Sequence, residues 1–199
     1  MSSRTESDDF GQPLLDVAED WYHVPALLLA AVWMFWVRMQ NYSEFIRGGE
    51  VYFSGNDAWY HLRETNYVVR NFPFTMPFDP WTGFPTGTYV GQFGTLYDQI
   101  AAFVALIVGL GSPSAALIAK TLVVMPPIFG AFTIVPVYFI GKRLSNRVGG
   151  LFGVLIIALL PGTFLQRTLA GAADHNAAEP FFMGLAVIGL LAAIGAAER

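Results

Sequence analysis

Long apolar runs separated by short polar stretches set the pattern of this chain. They cover roughly 24–37, 100–110, 115–140, 148–165 and 177–197. About 20 apolar residues are needed for a helix to cross a bilayer, and the pattern predicts spans at about 23–42, 115–140, 148–166 and 177–197. The run near 100–110 is about half that length and is closed by Gly109, Gly111 and Pro113. It predicts a non-spanning apolar helix near 97–111 that lies at the interface or re-enters. Within the long stretch 43–114, "AWYHLRETNYVVRNF" sets Ala58, Leu62, Thr65, Val69 and Phe72 on one helical stripe. Pro73 ends that helix. The following "FPFTMPFDPWTGFPTGTYVGQFG" has no period, which predicts an ordered irregular loop with aromatic rings suited to a membrane interface. Gly149 and Gly153 offer a small-xxx-small contact for helix packing.

Composition strengthens the membrane reading. Hydrophobic residues make up 54% of the 199 and charged residues only 13%, against about 25% charged in an ordinary soluble domain. The expected class is an all-α polytopic membrane protein. Eleven basic residues face fifteen acidic ones, and no basic stripe exists to neutralise phosphates, so nucleic acid is not an expected partner. Cysteine is absent, which removes disulfides and thiolate metal sites. The densest basic cluster is "GKRLSNR" at 141–147, and basic loops stay on the cytoplasmic side. With that loop inside, and the run near 97–111 not crossing, the loops 43–114 and 167–176 both face the external side. The polar, acidic residues 1–22 lack the basic start of a signal peptide and read as a cytoplasmic tail.

Two acidic centres then stand out. In "GNDAWYHLR", Asp57 opens a helix and His61 follows one turn later on the same face. In "RTLAGAADHNAAE", Asp174, His175 and Asn176 sit together with Glu179 three residues beyond. If both loops lie on one side of the membrane, Asp57 and Asp174 can converge. Oxygen ligands from loops suit a hard ion such as Mg²⁺ or Mn²⁺, and Arg167 is placed to grip a phosphate as a planar fork. Each residue also has a plainer reading. Asp57 suits a helix N-cap, as Asp174 and Asn176 suit the start of the last helix. Arg167 can snorkel to headgroups, and Glu179 is favoured by a helix macrodipole. His61 and His175 can serve as packing or hydrogen-bonding residues. Asp79 and Asp98 read as turn and helix-start residues, and "NYS" at Asn41 is a formal glycosylation acceptor too close to the membrane for use.

Four segments in order, "GNDAWYHLR", "FDPWTGFPTG", "FGTLYDQI" and "RTLAGAADHNAAE", resemble the catalytic subunits of oligosaccharyltransferases, in particular the archaeal AglB type. The resemblance covers the chain from about residue 20. It implies a GT-C type transmembrane helical domain with a large first external loop containing helices, in the cell membrane, its active-site loops extracytoplasmic. It further implies transfer of a glycan from a lipid-linked dolichol phosphate or diphosphate donor to Asn of an Asn-X-Ser/Thr sequon in an acceptor polypeptide. By that resemblance Asp57 binds a divalent metal, Mn²⁺ or Mg²⁺, and lies against the acceptor. Asp174 and Asn176 are further metal ligands, Arg167 is a catalytic residue near the lipid-linked phosphate, and His61, His175 and Glu179 stand behind them. Asn176 departs from the Asp, Glu or His usual at its position, and an amide oxygen binds these ions more weakly than a carboxylate. The family's later loop with its catalytic glutamate and its soluble C-terminal domain are expected beyond Arg199, so the 199 residues alone are expected to be inactive. Other polyprenyl-phosphate-sugar transferases, such as protein O-mannosyltransferases, fit the Asp-His-Asn motif poorly. A transporter would need acids within its spans, and here nearly all lie at span ends or outside.

Overall fold

The apolar runs form helices in the predicted order. The computed structural model describes residues 21–53, 55–92 and 95–197. Most of the expected N-terminal tail, and Phe93 and Gly94 of the third motif, lie outside the described residues. α1 is His23–Arg38, α2 Asp57–Asn71, α3 Leu96–Val108, α4 Ala115–Phe132 and α5 Ile134–Leu144. α6 is Arg147–Leu159, α7 Thr163–Arg167 and α8 Glu179–Ala197. Short 3-10 turns occur at Tyr42–Phe45, Val90–Gln92 and His175–Ala177. The fold is mostly helical, but two small antiparallel ribbons add to the all-α expectation. β1 (Ile46–Arg47) pairs with β2 (Glu50–Val51), and β3 (Phe78–Asp79) pairs with β4 (Thr88–Tyr89). Strands of two residues are too short to carry an alternation that a sequence could reveal.

α4 and α5 join into one apolar segment, Ala115–Leu144, of 30 residues, and α8 has 19. Among the described residues these are the two helices long and apolar enough to cross a membrane. α1, α3 and α6 are shorter apolar helices. The expected continuous span 148–166 is broken. Leu160, before Pro161, is extended at φ −65° and ψ 116°, as the proline ring requires of the residue before it. Gly162 then takes φ +114°, and α7 restarts at Thr163.

α4 carries the core on two sides. Leu122, Met125 and Phe129 pack with Tyr97, Ala101, Ala58, Ala173 and Ala178. Ala131 and the neighbouring Ile134 pack with Met34, Tyr138 and Val154. α5 and α6 approach closely because a Cβ on Gly150 would lie 2.7 Å from the Tyr138 carbonyl oxygen, and one on Gly141 would lie 2.9 Å from Gly150 Cα. The tightest approach is at Gly150; of the expected pair, Gly153 also faces α5, meeting a Val137 methyl at 3.3 Å, while Gly149 lies against Ser145 and the Gly141 carbonyl.

The stripe of α2 is also rotated from the expected one. Ala58, His61, Glu64, Thr65 and Val68 are buried, whereas Phe72 is exposed. Pro73 ends the helix as expected, the last helical residue being Asn71. The buried face packs on α3, whose own first turn contributes Tyr97 and Asp98, both buried. Two residues read as turn or helix-start residues therefore have larger structural roles. Asp79 is 1% exposed and bonds Arg63 Nη2 at 2.6 Å, Thr82 Oγ1 at 2.6 Å and the Trp81 amide at 3.0 Å. Asp98 is equally buried and accepts from Thr65 and His61. Glu64 is fully buried, and neither of its oxygens makes a well-formed hydrogen bond among the described residues.

The loop after α7 is pinned by a consequence of Pro127. A residue at that position would normally donate its N–H to the carbonyl of Val123, four residues back, and proline has none to give. The freed Val123 carbonyl instead accepts from Gly171 N–H at 3.0 Å. One residue earlier, Ala170 N–H donates to the Arg38 carbonyl at 2.9 Å. The Arg38 side chain, 1% exposed, closes the joint: Nε donates to Thr168 Oγ1 at 2.8 Å and Nη1 to the Met34 carbonyl at 3.1 Å. Its guanidinium lies over the Phe164 ring, 5.1 Å from the centroid. Gly130 makes room for it, since a Cβ there would sit 2.6 Å from Arg38 Nε. Gly171 itself has φ +79°, with the Phe45 ring where a side chain would be.

Two outcomes are expected. Gly171→Ala combines a left-handed φ, costing an L-residue roughly 1–2 kcal/mol, with a collision against Phe45, and thermal unfolding in detergent should show a lower Tm than wild type. Glu64 has its pKa raised to about 7, by burial first and then by the charges of Asp98 and Asp79, with the Met76 amide and His61 partly opposing. A carboxyl raised in the folded state favours folding while protonated, and that advantage is lost as pH rises from its unfolded value near 4.3 through 7. Glu64→Gln should thus raise Tm at pH 8 and leave it nearly unchanged at pH 4; an equal effect at both would show that Glu64 is not titrating in this window.

Candidate active site

Asp174 is presented by the pinned loop. With Gly171 held to α4, residues 172–174 run along the start of α2, and Asp174 is extended at φ −151° and ψ 145°. Its Oδ1 accepts from Asn176 N–H at 3.1 Å and so caps the short turn His175–Ala177. Asn176 Nδ2 donates to Oδ2 of the same carboxylate. Arg167 Nη1 is 3.7 Å from Oδ2, with its side chain half exposed. Burial opposes ionisation of Asp174. The His61 ring beside it, the hydrogen bonds from Asn176 and the His175 charge outweigh it, holding the carboxyl far below the usual range.

Behind Asp174 lies His61. Its Nδ1 is 2.9 Å from Asp98 Oδ1, and Thr65 Oγ1 donates to that oxygen at 3.3 Å. An imidazole whose Nδ1–H is held by a carboxylate turns Nε2 outward. That Nε2 is 3.6 Å from Asp174 Oδ1 and 3.3 Å from His175 Nδ1. The His175 ring nitrogen Nδ1 is in turn 2.9 Å from Asp174 Oδ1, and its Nε2 points to Glu179 Oε1 at 3.8 Å. Burial works against a charged His61, but the nearby Asp174 carboxylate and the hydrogen bond and charge of Asp98 carry its pKa up to about 9.

Asp57 stands on the other wall. It is the first residue of α2, after Asn56, which occupies the cap position without a side-chain cap bond. Its side chain is exposed and makes no hydrogen bond or ion pair with another described residue. Asp57 lines a cavity of about 320 Å³ together with Gln166, Arg167, Ala173 and Asp174. It also lines a second, of about 370 Å³, with Trp59, Tyr60, His61, Arg63 and His175. One carboxylate therefore borders both hollows.

Asp57, Arg167 and Asp174 come to one cavity, while His61 and His175 meet Asp174 directly. Asn176 is not among the residues lining either hollow, and its Nδ2 donates to Asp174. Glu179 is exposed beside His175. The donor atoms of His61, Asp174 and His175 lie within 4.8 Å of one another. Two imidazoles and a carboxylate are donor types that a divalent ion takes; in this structure His61 Nε2 accepts the His175 backbone N–H at 3.3 Å. Asp98 was not singled out as a site residue from sequence. The signal that would have found it is the i, i+3, i+4 and i+7 series His61, Glu64, Thr65 and Val68 on α2, which turns His61 toward α3.

The family described as oligosaccharyl transferase STT3, N-terminal, matches residues 25–199. The chain is 58% identical over 194 residues to the dolichyl-monophosphooligosaccharide–protein glycotransferase AglB of Haloferax volcanii, covering 98% of this chain and 18% of that relative. It is 30% identical over 169 residues to dolichyl-phosphooligosaccharide-protein glycotransferase 3 of Archaeoglobus fulgidus, covering 83% of this chain and 19% of the relative. The chain thus spans under a fifth of the length of these two relatives. Its fold is similar to the apo Archaeoglobus fulgidus oligosaccharyltransferase, with TM-score 0.77 at 30% identity, covering 87% of this chain and 20% of that one. It is also similar to AglB of the same organism in complex with an inhibitory peptide and a dolichol-phosphate, with TM-score 0.78 at 30% identity, over 88% of this chain and 20% of that one. A structure of the Archaeoglobus fulgidus enzyme with Zn and sulfate matches at 30% identity with TM-score 0.75, over 84% of this chain and 21% of that one. The chain belongs to the STT3 family of oligosaccharyltransferases, whose N-terminal region it matches.

Proposed function

We propose that this chain forms part of a membrane-embedded oligosaccharyltransferase that moves a glycan from a dolichol-linked phosphate carrier to the asparagine of an Asn-X-Ser/Thr sequon. The observation that carries the reading is the cavity shared by Asp57, Arg167 and Asp174, in a chain whose relative binds dolichol-phosphate and a peptide. α1, the joined α4 and α5, the α6–α7 pair and α8 cross the membrane. The stretch 43–114 and the loop 167–176 meet on the extracytoplasmic side, and 141–147 lies in the cytoplasm.

An amide nitrogen is a poor nucleophile because its lone pair is delocalised into the carbonyl. Asp57, exposed on the cavity wall, accepts the acceptor N–H and draws that lone pair back toward nitrogen. Arg167 presents a charged fork to the carrier phosphate as the glycosidic bond to it breaks. Asp174 and Asp57, which line one cavity, would hold a divalent ion, Mn²⁺ or Mg²⁺. Asn176 occupies the third position of the motif and steadies Asp174. When bound, such an ion stabilises negative charge developing on the leaving phosphate. His61, held by Asp98, keeps Asp174 oriented.

The test is transfer of a lipid-linked glycan to a sequon peptide, using the protein as its host makes it, with cognate donor and added Mn²⁺. Asp57→Ala should lower kcat/KM about 10²–10³-fold, the loss typical of removing a group aimed at the transition state. Arg167→Ala gives up charge-assisted hydrogen bonds of about 1.5–3 kcal/mol, roughly 10–100-fold in kcat/KM, and Arg167→Lys should recover part of it. Undiminished transfer by Asp57→Ala would sink the reading.

A further inference from the structure

We infer that the crevice between α5 and α8, at the end of these helices remote from the active site, binds one anionic phospholipid. Lys142 and Arg143 hold its phosphate, and its chains lie against Phe139, Ile188 and Leu191. The inference rests on the reading of α4–α5 and α8 as membrane spans and is independent of the transferase chemistry.

Helix packing makes the crevice. α5 and α8 touch where a Cβ on Gly184 would lie 2.6 Å from the Pro136 ring. Beyond that contact they leave a cavity of about 490 Å³. α5 lines it with Phe139, Lys142 and Arg143, spaced i, i+3 and i+4 on one face. α8 answers with Ile188, Leu191, Ala192 and Gly195, again one helical face. Toward its end this stripe shrinks from large side chains to small ones, which leaves width at the level of the two cations. Gly195 is required there, because a Cβ would run into Arg143 Nη2, so the guanidinium lies against α8. Position fits a membrane surface. α8 starts at Glu179 beside His175, and its 19 residues carry the chain about 28 Å, close to the roughly 30 Å of hydrocarbon in a bilayer.

Charge complementarity names the occupant. The side chains of Lys142 and Arg143 are exposed and make no hydrogen bond or ion pair with a described residue. Acids among the described residues lie at 44–98 and 174–179, on the stretches that meet at the active site, so the described residues around the crevice offer positive charge alone. A preference for basic loops on one side of the membrane accounts for the cations. It does not account for a hollow that continues beneath them as an apolar wall. An acidic peptide would meet both charges but leave its backbone N–H and C=O groups unsatisfied between Phe139, Ile188 and Leu191, at hydrocarbon depth. Lipid chains have no such groups, and basic pockets between membrane helices take anionic head groups in this way. None of the residues of α8 is buried by the described chain, so a lipid held by both helices adds to their contact at Gly184.

The test is native mass spectrometry of the protein as its host makes it, purified in detergent and offered an equimolar mixture of phosphatidylglycerol and phosphatidylcholine. Wild type should retain one phosphatidylglycerol in preference to phosphatidylcholine. Lys142→Gln combined with Arg143→Gln, at exposed positions where folding is not at stake, should weaken retention roughly 30-fold, each cation near the surface contributing about fivefold. Ala192→Trp keeps both charges but fills the crevice, and should remove the preference as well. Arg47→Gln, on β1 at the other face of the membrane, should leave it unchanged. Equal retention of the two lipids by wild type would overturn the inference, as would a preference that survives the paired Gln substitutions or Ala192→Trp. Displacement of the lipid by equimolar glycerol 3-phosphate would do so too, since the head group alone would then suffice. Because retention alone is read, glycan transfer judges the transferase reading separately, and carbonate extraction of the host membranes judges the spans.

Discussion

The hydrogen bond from Gly171 N–H to the Val123 carbonyl holds the whole site together. It exists because Pro127 has no N–H to offer Val123 and because Gly171 can adopt φ +79° against the Phe45 ring. A helix that spans a membrane ordinarily satisfies its own backbone. Here Pro126 and Pro127 take the helical donors from the Leu122 and Val123 carbonyls, and the loop after α7 supplies a donor to the second. Arg38 adds a second fastening through Thr168 and its own carbonyl. The loop carrying Asp174 is thereby rigid although it has almost no regular structure.

From this anchor the electrostatics follow in layers. Asp174 is ringed by donors: Asn176 through side chain and backbone, His175 and His61 through ring nitrogens, and Arg167 at the edge. Behind it the buried face of α2 meets Asp98 at the start of α3, and the two helices exchange His61, Thr65 and Asp98 contacts beside the apolar packing of Ala58 with Tyr97 and Ala101. Glu64 and Asp98 share that dry layer with few partners. Buried acids at such density cost stability, and their position directly behind Asp174 makes orientation of the site the natural return.

The open wall has the opposite character. Asp57 begins α2 in an exposed position, Arg167 ends α7 half exposed, and the hollow between them is lined mainly by the small residues Gly55, Ala58, Ala172 and Ala173. Small side chains there keep the cleft from filling. The opposite wall, around His61 and Asp98, is instead built of close, fixed polar contacts.

The amino-acid pattern by itself determined the helices, because apolar periodicity and proline act locally: α2 ends before Pro73, the helix near 97–111 is short, and four ordered motifs indicate the family. It also marked Asp57, Arg167, Asp174 and His175 as polar residues standing apart in a greasy chain. Only the tertiary structure decided that α2 turns His61 and Glu64 inward, that Asp98 sits behind His61, and that Asn176 faces Asp174. Those outcomes depend on which carbonyl, ring or carboxylate arrives from elsewhere in the chain: 37 residues separate His61 from Asp98 and 114 separate it from His175. Spacing along one helix constrains which residues share a face. It says nothing of the partner that meets that face, because the partner is chosen by packing across the fold.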